Sequence, residues 1–378
     1  MAHQKSLLFL LYPSVFLGPF GGNTVLALIP SLERFFTDEP WFIPASIMIY
    51  MIPFAFFQLF SGALSDIYGR KRVILFGLVT FSLASLFCAS ANNTGSFLGA
   101  RALQGLGSAF IAPTIMAIIG DVFSYKERGR IMGGYGASTT AGTALGPLAG
   151  GFLAIIDWRL VFLMLFIFSG LLGSVYLFSF DASKGVGELK DILRKIGGVL
   201  KNKDVLPLCM IGLLVFFGNI ATMTFLSDAL TISVSEDKIG ILLSTFGFAG
   251  IATAPIAGYL TDFIGRKRTL LSGLIIMLTA FLIFLLVNSY RAFFIPLSIM
   301  GIGSTTAFTS LNTVIVECMP ESRGATSSIY NSIRFLGYGL APVATLPVYL
   351  VYGLQGIVLL CICFVLMNIL FSSRVVRG

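Results

Sequence analysis

The sequence predicts an all-α membrane protein whose twelve transmembrane helices form two pseudo-symmetric six-helix bundles. Three observations predict it. The 378 residues are 56% hydrophobic and only 11% charged, with a mean hydropathy of +0.93. The chain resolves into twelve long apolar runs, at 7–32, 41–64, 73–91, 96–120, 131–156, 160–180, 205–227, 239–261, 269–289, 292–316, 325–350 and 354–373. A charged hairpin between the second and third runs recurs 196 positions later.

A soluble domain carries about 25% charge, so a chain this apolar turns its surface to lipid. Each run has the roughly 20 residues that cross about 30 Å of hydrocarbon as a helix. Helices are required because every backbone N–H and C=O must be satisfied within the span. The first run is too long for a cleavable leader. Alternate connections hold 19 of the 25 Lys and Arg residues, and the opposite connections hold only Arg34, Arg159, Lys238 and Arg291. This bias places both termini in the cytoplasm of a multi-pass protein of the cell membrane. The longest connection splits the chain into a bundle at 1–180, a linker at 181–204 and a bundle at 205–378. Its 188–199 part reads either as an amphipathic helix on the inner membrane surface or as a plain flexible linker.

Composition also excludes functions. The lone His3 lies in the polar N-terminal tail, and the five Cys fall in or beside apolar runs without metal-ligand spacing, so no metal and no cofactor is expected. No phosphate-binding Gly-x-x-x-x-Gly-Lys-Ser/Thr loop is present, which argues against an ATP-driven pump. An integral-membrane enzyme would need a His, Cys or carboxylate cluster that the chain lacks. The net charge of +8 sits at helix ends and does not imply nucleic acid.

The hairpin Gly62-Ala63-Leu64-Ser65-Asp66-Ile67-Tyr68-Gly69-Arg70-Lys71-Arg72 is repeated as Gly258-Tyr259-Leu260-Thr261-Asp262-Phe263-Ile264-Gly265-Arg266-Lys267-Arg268. Arg128-Gly129 matches Arg323-Gly324, and Gly146-Pro147 matches Ala341-Pro342, both at an offset of 195, while Asp121 matches Glu317 at 196. A parallel duplication of six-helix halves implies a rocking transporter with its substrate site between the halves. Asp66 and Asp262 each stand one hairpin turn from Arg70 or Arg266, where a carboxylate–guanidinium pair can latch a conformation. Gly62, Gly69, Gly258 and Gly265 permit close packing and the turn, and Arg72 and Arg268 complete the basic loops. The plainer alternative is a set of static helix-end charges.

Inside the runs, Gly142, Gly146 and Gly150 have small-xxx-small spacing beside Pro147, which fits a close sliding contact between the halves or ordinary tight packing. The corresponding stretch of the eleventh run thins to Gly337, Gly339, Ala341 and Pro342, so looser packing is expected there. Arg101, with Gln104 on its face, and Arg334, with Asn331 on its face, lie within apolar runs. A buried Arg must face water or a partner, so these four are expected at a cavity; the alternatives are snorkelling of Arg101 to the outer interface and a structural bond from Arg334 to carbonyls. Asn23, Asn219, Thr309 and Asn312 add polar positions that fit either interhelical hydrogen bonds or the same cavity.

These residues resemble the major facilitator superfamily. The hairpin at Gly62–Arg72 and its copy at Gly258–Arg268 are similar to its loop signature. Arg101-Ala102-Leu103-Gln104-Gly105-Leu106-Gly107 resembles its fourth-helix motif, and Gly142–Gly151 the fifth-helix signature of its antiporters. Asp157-Trp158-Arg159 fits the drug-efflux branch. The resemblance implies the major facilitator fold. It also adds Asp121 to an Asp66–Arg70–Asp121 cluster that clasps the halves when the outer side is open, mirrored by Asp262–Arg266–Glu317. It implies proton-coupled efflux of small lipophilic compounds by alternating access; the alternative is a sugar or organic-acid symporter or facilitator. The expected partners are the lipid bilayer, a small-molecule substrate and protons, and the protein is expected to work as a monomer. One departure matters: no Asp or Glu lies at mid-depth in any run. A proton carrier must then be an end-of-helix acid such as Asp66, Asp121 or Asp228. The cavity reads as neutral to positive, suited to neutral, anionic or zwitterionic lipophiles.

Overall fold

The computed structural model describes residues 2–37, 39–123, 125–179, 189–319 and 322–375. The helices are α1 (Ala2–Thr24), α2 (Ile29–Phe35), α3 (Phe42–Tyr68), α4 (Arg70–Ser90), α5 (Thr94–Val122), α6 (Tyr125–Ala154), α7 (Arg159–Ser179), α8 (Leu189–Leu200), α9 (Val205–Leu230), α10 (Glu236–Phe263), α11 (Arg266–Phe284), α12 (Phe294–Cys318) and α13 (Arg323–Val375). The start of the inter-half connection lies outside the described residues, as do the side chains of Lys5, Lys126, Arg128, Lys184, Lys190, Lys195, Arg374 and Arg377.

Among the described residues each of the twelve expected runs is largely helical, three with a difference. The first is bent: the span reaching Ala27 meets α2 at 67°, where a straight helix over 7–32 was expected. Pro30, in the first turn of α2, has no N–H to offer the carbonyl of Leu26. The freed carbonyl accepts the hydroxyl of Ser227 instead. The fifth crossing, α6, is rich in Gly and Thr and so weakly apolar that length and hydropathy alone pass over it. The last two crossings run through α13 and part at Gly353, whose φ of 60° breaks the helix. Within the 188–199 stretch of the connection a helix, α8, runs Leu189–Leu200; position 188 lies outside the described residues.

The duplication is visible in the packing. In the first half α4 lies on α5, α3 on α5, α1 on α6 and α4 on α7; in the second, α11 lies on α12, α10 on α12, α9 on α13 and α11 on α13. The halves meet along α6 with α10 and along α3 with α13.

Main-chain contacts repeat as well. A Cβ at Gly105 would overlap the carbonyl oxygen of Tyr50, and one at Gly301 that of Phe246, each pair 196 positions from its counterpart. Gly77 faces Gly107, and Gly273 faces Gly303, closely enough that a Cβ on Gly107 or Gly303 would stand 2.8 Å from the opposite glycine's oxygen. Such approaches let backbones meet where lipid supplies no hydrophobic drive for association.

Candidate functional site

The end carrying the Gly69 and Gly265 turns is the basic end. At the opposite end the halves are joined by side chains and backbone. Arg34 pairs with Glu236, and Ser31 donates to the same carboxylate at 2.9 Å. Gly151 runs so near the backbone of Glu236 that a Cβ there would overlap its carbonyl, and a Cβ on Gly240 would stand 2.5 Å from Pro147 O. Positions 21–30 are all buried.

Between the seal and the basic end lies a cavity of about 260 Å³, walled by α1, α3, α5, α6, α9, α10, α12 and α13. Its surface is largely apolar, with Tyr50, Phe54, Tyr135, Phe216, Phe308 and Phe335 among the lining rings. Asn23, Asn219, Asn312, Asn331 and Arg334 all line it. Tyr338 donates to Asn23 at 2.6 Å across the two halves, and Asn219 donates to Ser304 at 2.7 Å. Arg334 is the one charged residue among those lining the cavity.

Three expected cavity residues lie elsewhere. Arg101 is fully buried behind the wall, stacked 4.2 Å over the ring of Tyr50. Its guanidinium donates to Gly21 O at 3.1 Å and to Gln104, whose amide donates to Ser85 at 2.8 Å. Arg101 and Gln104 thus bind α1, α4 and α5 together and support Tyr50 from behind. Thr309 sits beside the wall, since Thr305, Phe308 and Asn312 of the same helix face the cavity. Depth along a helix places a residue in the membrane, but only its azimuth decides between cavity and neighbouring helix.

The glycine stripe of α6 also has a different partner. A Cβ at Gly142, Gly146 or Gly150 would stand 2.5–2.7 Å from the carbonyls of Phe16, Phe20 and Thr24, all on α1 of the same half. Thr24 closes the contact with a 3.1 Å bond to Gly146 O. The contact with the other half uses the adjacent face, Ala144, Pro147 and Gly151 against α10. Gly337 comes 2.8 Å (as a Cβ) from Leu213 O, and a Cβ on Gly339 would stand 2.8 Å from Met51 Cβ. The eleventh run is therefore close-packed, contrary to the looser contact expected.

At the basic end both turns need glycine. Gly69 has φ 91° and Gly265 φ 89°, where side chains are strained. Arg70 pairs with Asp66 and, at 2.9 Å, with Asp121, and donates to Gly62 O at 3.3 Å. Arg266 grips Glu317 bidentately at 2.6 and 3.0 Å. Asp262 is exposed and makes no ion pair among the described residues. Gly258 has open space around it, and Arg72 and Arg268 are exposed. Each cluster lies wholly within its own half. It ties consecutive helices to one another; the expected clasp between halves belongs to the state open at the opposite end, which is sealed here. Among the described residues, the ion pair given between the halves is Arg34–Glu236, at the opposite end.

Two duplicated bundles enclosing an apolar cavity with polar spots, sealed at one end, define a membrane transporter rather than an enzyme. The family model of the Major Facilitator Superfamily matches residues 11–228 and again 206–377. The chain belongs to that superfamily. The bacillibactin exporter of Bacillus subtilis is 26% identical over 340 residues, covering 85% of this chain and 84% of its own. Multidrug resistance protein 2 of the same organism is 32% identical over 164 residues, 42% of this chain and 40% of its own. A crystal structure of a bacterial homologue of the human lysosomal transporter Spinster, inward-facing and unoccupied, superposes with a TM-score of 0.80 at 18% identity, covering 99% of this chain and 97% of the other.

Proposed function

We propose that this protein exports small lipophilic compounds across the cell membrane in exchange for protons, with both termini cytoplasmic and the monomer as the working unit. The observation that carries the reading is the apolar, ring-lined cavity, closed at the end remote from the termini by Arg34–Glu236 and the backbone contacts around it. A site of that make-up holds apolar molecules with few fixed polar contacts. Release then requires the seal to part and the basic end to close, as in alternating access. The similarity to exporters and to a multidrug resistance protein supports the direction.

The cavity lining contains no carboxylate, so coupling falls to acids at helix ends. Asp228, which accepts the hydroxyl of Tyr349 near the outer seal, is the strongest carrier, with Asp66 and Asp121 serving the basic end. The test is transport in proteoliposomes holding a panel of neutral, anionic and cationic lipophiles under an imposed pH gradient. Substrate moving against the proton flow is the expected result. Movement of both in the same direction would favour the symporter reading, and indifference to pH would favour a facilitator. Asp228→Asn should remove the response to the gradient while leaving equilibrium binding in place.

A further inference from the structure

We infer that Arg334 is the receptor for an organic anion, and that the substrates bound best carry a carboxylate beside an aromatic ring. The inference rests on the exporter reading and narrows its substrate class. Arg334 is 8% exposed and lies on the first limb of α13 at the cavity wall. Its guanidinium carbon is 4.2 Å from the ring centre of Phe335, 4.4 Å from Phe216 and 4.7 Å from Phe308. Among the described residues the guanidinium makes no hydrogen bond and no ion pair, and its buried Nε is without an acceptor.

Arg101 differs in part: one of its Nη atoms donates to two oxygens, although its Nε and other Nη are also without an acceptor, and it stands behind the wall rather than at the cavity. Ring faces hold a guanidinium by its π-surface, yet leave the in-plane N–H fork unused. The fork matches a carboxylate in bidentate geometry. No acidic side chain lines the cavity to fill it. Asn312 and Asn331 also line the cavity and make no side-chain bond among the described residues, so amide donors remain for the same anion. The rings that hold the cation offer a face to an aromatic ligand body, which explains why charge and ring are recognised together.

The test is equilibrium binding of 2-naphthoate, 2-naphthamide and 2-naphthylmethylammonium to the full chain in lipid nanodiscs. These probes share one ring system and differ in charge. The wild type should bind naphthoate about tenfold more tightly than naphthamide, with the ammonium weakest. Arg334→Gln should erase the difference between naphthoate and naphthamide, with the larger loss falling on naphthoate, and Arg334→Lys should keep part of it. Thermal unfolding of both variants checks that they are folded; the lysine variant retains the charge and reports even if the glutamine variant does not fold. An anion preference that survives in Arg334→Gln, a preference for the ammonium, or no naphthoate binding by the wild type would each overturn the assignment. Competition by inorganic phosphate as strong as by naphthoate would overturn the part played by the rings. Failure of naphthoate export in proteoliposomes with charge-selective binding intact counts against the exporter reading alone and leaves the receptor standing.

Discussion

The two basic-end hairpins share a backbone and differ in their ionic nets. Gly69 and Gly265 adopt nearly the same turn, with φ 91°, ψ 139° and φ 89°, ψ 157°. Arg70 nevertheless gathers two carboxylates, from α3 and α5, whereas Arg266 takes one carboxylate with both arms of its fork. The difference follows from one methylene. The longer side chain of Glu317 reaches both guanidinium nitrogens, and Asp262 is left in solvent. Duplication has kept what steric exclusion forces and let charge pairing drift, because a positive φ tolerates few residues and a screened ion pair tolerates many.

The largest effects expected are at the backbone crossings that the halves share. Gly105→Ala and Gly301→Ala each drive a methyl into a carbonyl of a neighbouring helix. Both should cost at least the upper end of overpacking, about 3 kcal/mol, and reduce the yield of monodisperse protein, as chromatography in detergent would read. Gly258→Ala, with open space around it, should be silent in the same assay. Equal harm from all three substitutions would show that the crossings are not special.

A smaller and symmetric effect is expected at the turns. Gly69→Ala and Gly265→Ala force an L side chain into a conformation that costs about 1–3 kcal/mol. The two should lower the unfolding temperature alike. A marked difference between them would break the equivalence of the two hairpins.

The smallest effect separates the ionic nets. Asp121→Asn should lower the unfolding temperature more than Asp262→Asn, because only Asp121 is bound to its arginine. Glu317→Gln should resemble Asp121→Asn. The shifts should shrink with added salt, since Asp121 and Glu317 are about half exposed. An Asp262→Asn effect as large as the other two would mean that a three-member cluster exists in both halves.

Much of this architecture could be read along the chain. The crossings follow from apolar length, and the hairpin copies from a strict residue pattern. Legibility failed where the partner of a side chain lies on another helix. Arg101 and Arg334 look alike as isolated basic residues in apolar runs, yet one donates to Gly21 O and the Gln104 side chain behind Tyr50 and the other faces the cavity. The glycines at 77, 107, 273 and 303 carried a signal that went unread: equal spacing in both halves, at the same 196-residue offset as the hairpins.

The sequence by itself determined that the chain spans a membrane as duplicated helical halves with glycine turns at the basic end. Hydropathy, helix length and φ restriction are properties of single residues and their near neighbours, so order along the chain suffices for them. Only the tertiary structure decided which faces meet: that α6 turns its glycines to α1 and the next face to α10, that the inter-half ion pair is Arg34–Glu236, and that Arg334 stands among rings with its donors unused. Those outcomes depend on rotation about helix axes, which is fixed by packing between residues hundreds of positions apart.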